Sequence, residues 1–251
     1  MITPEAPAPL AGRRAIVTGA ARGIGAAIAS RLAASGARVA ILDLLEESGR
    51  EHAERIGGDF HHVDLGDADD TKRAVGAAID GLGGIDVLVN NAGILRFAPL
   101  LEIDVSEWDQ TFAINTRSML VTTQTAARAM IAAGHGGKMI NLASMAGKAG
   151  GQGHAHYAAS KAAVIALTRV TALELGPHGI TANALCPGYV LTEMGAATRT
   201  EADVAEWASY SPLGRLGVAD DVAGVAHFLA TDDADYLTGQ AFNVTGGMIM
   251  H

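Results

Sequence analysis

Ala15-Ile-Val-Thr-Gly-Ala-Ala-Arg-Gly-Ile-Gly25 is the stretch on which the fold turns. A short β-branched run ends at Val17, and Thr18-Gly-Ala-Ala-Arg-Gly-Ile-Gly25 follows directly. Glycines at 19, 23 and 25 let the chain turn sharply, bring backbone close to another group, and start a helix tight against the strand. A glycine cluster alone also marks ordinary turns. Here it follows a strand and opens a helix, where free N–H groups and the positive end of the helix dipole suit a pyrophosphate. Gly19, Arg22, Gly23, Ile24 and Gly25 are therefore candidate dinucleotide-binding residues.

The same alternation continues outward. Short apolar runs read as buried parallel strands: Ala15–Val17, Val39–Leu42, Val87–Val89, Met139–Leu142 and Ala182–Leu185. Between them lie Ala-rich stretches with helical spacing, such as Gly25–Ala34 and Ser106–Met130. No break in composition separates two units. The expected fold is α/β: a single-domain, Rossmann-like, doubly wound parallel β-sheet flanked by helices on both faces, with ligands at the carboxyl ends of its strands. A flexible Pro-rich leader is expected over 1–10 and one domain over 11–251. Residues 190–216 interrupt the alternation, with a weakly helical piece near Ala202–Ala208. They read as a substrate lid or as a surface excursion against a partner subunit.

Composition narrows the function. Of 251 residues, 49% are hydrophobic but only 4% aromatic, so the core must be built from Ala, Val, Ile and Leu. A net charge of -9 argues against nucleic acid and anionic membranes as partners. The single cysteine, Cys186, allows no internal disulfide and reads as a small buried hydrophobe in a reducing compartment. The first ten residues lack the basic and apolar segments of a signal peptide, and no apolar run approaches the ~20 residues of a membrane span. A cytoplasmic enzyme is the expectation.

Asp43 ends the second strand, where a carboxylate can accept hydrogen bonds from both hydroxyls of an adenine ribose and would repel a 2′-phosphate. This favours NAD over NADP, although Arg22 in the glycine loop could welcome that phosphate. The alternative for Asp43 is a helix cap for the stretch beginning near Glu46. Asn90-Asn-Ala-Gly93 closes the fourth strand with small residues that let backbone approach a cofactor.

Tyr157 and Lys161 stand at i and i+4, neighbours on one helix face. A free phenol titrates near 10, too high for a base at neutral pH. Lowering it by roughly three units takes about 4 kcal/mol, within reach of a fixed ammonium together with a positive nicotinamide. Ser144 follows the fifth strand, where its hydroxyl could donate to a substrate oxygen; otherwise it is a turn residue. Asn115 is a poor helix former inside an expected helix. It either anchors a water that bonds Lys161 or marks a kink.

Together these motifs resemble the short-chain dehydrogenase/reductase family, from Arg13 to Met248. The resemblance implies catalytic roles for Asn115, Ser144, Tyr157 and Lys161, the last two also touching the cofactor. Asp64, with Leu65 beside it, matches the adenine contact. Asn91, Ala92 and Gly93 belong to the Asn-Asn-Ala-Gly motif, Pro187-Gly188 follow the sixth strand, and Val190 and Thr192 match the nicotinamide carboxamide region. Asn243-Val-Thr-Gly-Gly247 resembles the family's last strand and turn. A homotetramer is implied by analogy. One departure is Ala143, where the family often has a second serine.

Ser144, His154, Tyr157 and Tyr189 are the candidate substrate contacts. His61-His62 and His154-x-His156 lack the spacing of a zinc set, so no metal is expected. Ser144 lacks the Gly-x-Ser-x-Gly elbow of a hydrolase. The expected reaction interconverts a secondary alcohol and a ketone with NAD, the substrate being a polyol or simple secondary alcohol. The alternatives are a 3-oxoacyl thioester reductase and a non-catalytic dinucleotide sensor.

Overall fold

The computed structural model describes residues 8–193 and 200–251. Residues 1–7 of the expected leader and 194–199 of the expected lid lie outside the described residues. Among the described residues seven strands form one parallel sheet: β1 (Arg14–Thr18), β2 (Arg38–Asp43), β3 (Asp59–His62), β4 (Val87–Asn90), β5 (Gly137–Leu142), β6 (Ile180–Pro187) and β9 (Ala241–Val244). Their order is β3-β2-β1-β4-β5-β6-β9. A second pair, β7 (Val190–Leu191) and β8 (Gly217–Val218), stands apart.

The strand sequences explain why both faces are covered. Successive side chains point to opposite faces. Ala15, Val17, Val39, Ile41, Val87 and Val89 enter one apolar cluster. Ile16, Ala40, Leu42, Leu88 and Met139 enter the other. A strand buried on both sides has no polar alternation to show, hence the near-continuous apolar runs. Helices α1 (Gly23–Ala34) and α9 (Ala219–Ala230) pack together on the first face. Helices α3 (Ala68–Leu82) and α5 (Ser118–Ala133) pack on the second, with α7 (Ala155–Leu175) beyond them. The remaining helices are α2 (Glu46–Ile56), α4 (Val105–Phe112), α6 (Ala146–Ala149) and α8 (Glu201–Ser209).

Strands are added in one direction from β1 to β3 and in the other from β4 onward, so the neighbouring β1 and β4 mark the switch point where a crevice opens at the carboxyl ends. The register puts Val17 beside Val89 and Asn90 beside Asn141. Those carboxyl ends carry nearly every candidate residue.

Three local features differ from the sequence expectation. The helix expected over Ser106–Met130 is divided: between α4 and α5 the chain makes a π-helical turn, Ala113–Arg117, with Asn115 inside it. The extra residue of such a turn re-aims the side chains beyond it. Strand β3 is absent from the apolar runs because Asp59-Phe-His-His62 is polar and only partly buried. Leu10, counted with the leader, is 1% exposed and donates its N–H to the Ser35 carbonyl at 2.9 Å. The β7–β8 pair brackets the segment expected as a lid or surface excursion, and helix α8 within it starts with Thr200 and Asp203 capping one another.

Candidate active site

The glycine loop is shaped by close approach. Gly19 and Gly23 have φ of +63° and +61°, a region that disfavours side chains. A Cβ at Gly25 would lie 2.2 Å from the Gly19 carbonyl oxygen and 2.4 Å from Asn91 Nδ2, so nothing larger than glycine fits. Asn91 donates to the Thr18 and Gly19 carbonyls at 3.0 and 2.8 Å, tying the loop to the end of β4. Asn91 and Ala92 in turn donate their N–H groups to Thr18 Oγ1. The N-terminus of α1 opens at this loop, and its residue Arg22 makes no side-chain cap.

Asp43 is 9% exposed, and its two oxygens accept from the N–H groups of Ala21 (2.8 Å) and Leu45 (3.0 Å). The residue that caps α2 is Leu45, so the helix-cap alternative for Asp43 gives way to a carboxylate braced between the glycine loop and the β2 end. Each oxygen retains acceptor capacity for a ribose hydroxyl. Asp64 is exposed and accepts from Gly66 N–H at 2.8 Å, with Leu65 buried next to it. Thr192 lies across the loop: a Cβ at Gly23 would sit 3.8 Å from its Cγ2 and 3.6 Å from Glu193 Oε2. At Gly188 a Cβ would meet Met248 Sδ at 3.2 Å, so the segment after β9 closes that side. Val190, in β7, packs against the first core cluster.

A cradle that a single Cβ would obstruct, the start of a twelve-residue helix, and a carboxylate at the β2 end together fit a dinucleotide.

Catalytic candidates converge on Gly93. A Cβ there would lie 3.2 Å from both Asn115 Oδ1 and Lys161 Nζ. Asn115 is 3% exposed and bonds three groups: it accepts from Ile94 N–H (2.8 Å) and donates to the Ile94 carbonyl and Ser160 Oγ (both 3.0 Å). Both of its amide hydrogens are thereby used. It is at once the kink residue and a brace between the β4 loop and α7.

Lys161 is 4% exposed and donates to the Leu142 carbonyl at 2.7 Å. Burial pulls its pKa down to about 8. Its Nζ lies 5.8 Å from the centroid of the Tyr157 ring. Burial pushes the Tyr157 phenol above its ordinary value, and a hydrogen bond with Ser144 offsets part of that rise. The expected lowering of this phenol by Lys161 is thus not what dominates here; the low-polarity surroundings do. Ser144 is 9% exposed, and its Oγ also accepts the Ala146 N–H at 3.1 Å. The turn that brings Ser144 to Tyr157 depends on Gly147, where a Cβ would strike the α7 backbone at 2.7 Å.

Among the candidate substrate contacts, His154 sits edge-on to Tyr157, with ring centroids 6.0 Å apart. Its other edge-on neighbour is Phe97, at 5.6 Å. Tyr189 is stacked on Trp207 of α8 at 4.8 Å, which fastens α8 to the β6–β7 loop. Phe97 and Trp207 were not foreseen. Phe97 lies in a loop without periodicity, and Trp207 was visible only as part of a weak helical signal. Among the described residues no cluster of three His, Cys, Asp or Glu could hold a metal, and no helix is long and apolar enough to cross a membrane.

A family model described as enoyl-(acyl carrier protein) reductase matches residues 19–249. A sorbitol dehydrogenase from Cereibacter sphaeroides is 42% identical, covering 95% of this chain and 98% of that protein. The chain belongs to the short-chain dehydrogenase/reductase family. It is an oxidoreductase acting on CH–OH groups. This short-chain dehydrogenase/reductase is also 39% identical to a 3-oxoacyl-[acyl-carrier-protein] reductase from Synechocystis sp., over 94% of its own length and 96% of the relative's. Among solved structures, a putative short-chain alcohol dehydrogenase from Sinorhizobium meliloti superposes with a TM-score of 0.91 at 36% identity, covering 97% of this chain and 98% of that one.

Proposed function

We propose that this enzyme interconverts a polyol, or a simple secondary alcohol, and the corresponding ketone with NAD(H). The observation that carries the reading is the convergence of Asn115 and Lys161 beside Gly93, with Tyr157 next to Lys161 and bonded to Ser144, at the carboxyl end of the sheet where the glycine loop also lies. Gly19, Arg22, Gly23, Ile24 and Gly25 would hold the pyrophosphate, and Asp43 the adenine ribose. Asp64 and Leu65 would face the adenine; Asn91, Ala92, Gly93, Pro187, Gly188, Val190 and Thr192 would line the nicotinamide end.

A nicotinamide bound there would supply the hydride chemistry, as acceptor from a carbinol carbon or donor to a carbonyl carbon. Tyr157 Oη holds the proton that leaves or joins the substrate oxygen. Ser144 donates a hydrogen bond to that oxygen and so stabilises its developing charge. Lys161 supplies positive charge toward the phenolate and binds the nicotinamide ribose. Asn115 fixes the β4 loop against α7, and its Oδ1 retains one lone pair for a relay water. His154 and Tyr189 border the substrate.

NAD is favoured over NADP by the Asp43 carboxylate and by Glu47 and Glu51, which share the rim of the groove after β2 with Leu44 and Leu45. Glu46, on that rim, is engaged by Arg50 at 2.8 Å. Arg22 is the exposed loop cation available to a 2′-phosphate. The polyol assignment leans on the sorbitol dehydrogenase likeness. A cytoplasmic homotetramer completes the reading, on family membership.

The test is a panel of polyols, simple secondary alcohols and a 3-oxoacyl thioester, each assayed with NAD(H) and NADP(H) by nicotinamide absorbance. Turnover of a polyol with NAD is expected. A thioester reduced with NADPH as the best pair would replace the proposal with the acyl reductase reading, and cofactor binding without turnover would replace it with a sensor.

A further inference from the structure

The Ala20–Ala21 peptide, in the middle of the glycine loop, is held at both ends by side chains. Its carbonyl, on Ala20, lies 2.7 Å from His52 Nδ1. Its N–H, on Ala21, lies 2.8 Å from Asp43 Oδ2. His52 is on α2, 32 residues away from Ala20, and is 2% exposed. Its Nε2 lies 2.9 Å from Ser30 Oγ on α1.

The chemistry of these partners fixes the imidazole. A carbonyl oxygen only accepts, so Nδ1 carries the hydrogen. In the neutral ring Nε2 then accepts from the Ser30 hydroxyl. Burial pushes the His52 pKa below its ordinary value, in keeping with a neutral ring. The ring therefore joins three elements: α2, the N-terminal half of α1, and the loop between β1 and α1.

We infer that His52 is a positioning residue for the cofactor: with Asp43 it locks the Ala20–Ala21 peptide plane, so that the glycine loop keeps this carbonyl turned toward α2 and away from a bound pyrophosphate. The inference rests on the nicotinamide reading of this loop. A loop that binds an anion must offer N–H groups and keep carbonyl oxygens from facing the charge. The Gly19 carbonyl already has its own donor, Asn91 Nδ2. For the next carbonyl, His52 is that donor. A flip of the Ala20–Ala21 plane would break two short hydrogen bonds together, one of them charge-assisted through Asp43. Without His52, only the N–H end would be held, and rotations that point the Ala20 oxygen toward the anion would become populated. Asp43 thereby has two tasks, the ribose and the plane, whereas His52 has the plane alone.

The experiment uses two variants of the full chain. His52→Leu fills the space without a donor. His52→Asn keeps a donor near the Nδ1 position. Dissociation constants for NADH and NADPH are measured by fluorescence titration, with circular dichroism to establish folding, and steady-state kinetics separate KM for cofactor, KM for alcohol and kcat. For whichever cofactor the wild type binds tighter, His52→Leu is expected to weaken binding about tenfold, with kcat and the alcohol KM within about twofold. His52→Asn is expected to recover most of that affinity. The inference is overturned if folded His52→Leu binds as the wild type does, if His52→Asn is as weak as His52→Leu, or if kcat falls with affinity unchanged. Failure of the wild type to bind either cofactor would overturn the nicotinamide reading itself and the peptide lock with it, a result that appears before any variant is made.

Discussion

The glycine loop and the start of α7 lie at the same, carboxyl-terminal end of the sheet but are finished differently. In the loop, the carbonyls of Thr18, Gly19 and Ala20 and the N–H of Ala21 each have a named protein partner. At the start of α7 the reverse holds. Among the described residues four buried side-chain nitrogen or oxygen atoms lack a hydrogen-bond partner, and three are ring nitrogens of His154 and His156, close before Tyr157. The nearest charge to His156 is Glu107, 3.6 Å from Nε2. Leaving buried polar atoms unpaired costs on the order of 1–3 kcal/mol each. The difference teaches where each region gets its definition. The loop is completed by its own protein, so it can be pre-formed for one ligand. The α7 entrance is not: there Phe97 and His154 meet edge-on beside Tyr157.

Replacing Lys161 by Met sharpens this contrast most. Turnover should fall by about three orders of magnitude, because the phenolate loses its cation. Stability should move the other way. The folded pKa, about 8, is below the 10.5 of an exposed lysine, so between these values the unfolded chain binds more protons. Charged Lys161 therefore costs stability below pH 8, on the order of 3 kcal/mol, and the cost fades as pH rises toward 10.5. Lys161→Met should show a higher Tm than wild type at pH 7 and a smaller advantage at pH 10, read by calorimetry. The orphaned Leu142 carbonyl will take back part of the gain. A lower Tm at pH 7 would contradict this.

Gly25→Ala strikes the pre-formed side. With Cβ driven to 2.2 Å from the Gly19 oxygen, the loop must shift, and NADH affinity should fall roughly a hundredfold, with about 1–3 kcal/mol lost from stability. Near-native affinity would show that the loop is less fixed than its hydrogen bonds indicate. Ser144→Ala should lower kcat by ~10²-fold with cofactor affinity unchanged, as expected for one lost donor to a charged oxygen. The smallest effect is at the β2 end. Asp43→Asn should shift the NAD-over-NADP preference by about tenfold toward NADP, measured as the ratio of kcat/KM values.

Much of this architecture was legible in the chain. Strands β1, β2, β4, β5 and β6 are apolar on both faces and announce themselves; β3 is not, because Phe60 is the one large apolar residue among its four. The glycine spacing disclosed the loop, but not the donors that lock it. His52 lies on α2, and neither composition nor periodicity relates it to Ala20; the packing of α2 against β2 and α1 brings them together. Asn115 was legible as an anomaly. Its side chain bonds Ile94 and Ser160, partners far apart in sequence, so the reason for the anomaly lay in tertiary structure. The same holds for the Tyr157 phenol. An i, i+4 lysine suggests a lowered pKa, yet burial, which no local pattern displays, sets its direction here.

The proposed chemistry has Tyr157 moving the proton beside a nicotinamide held by the glycine loop. Tyr157→Phe tests it most directly, with NADH affinity by fluorescence and turnover of the best alcohol measured on the same preparation. NADH affinity should stay within about twofold of wild type, and turnover should fall by at least about a thousandfold. Turnover close to that of the wild type would contradict it.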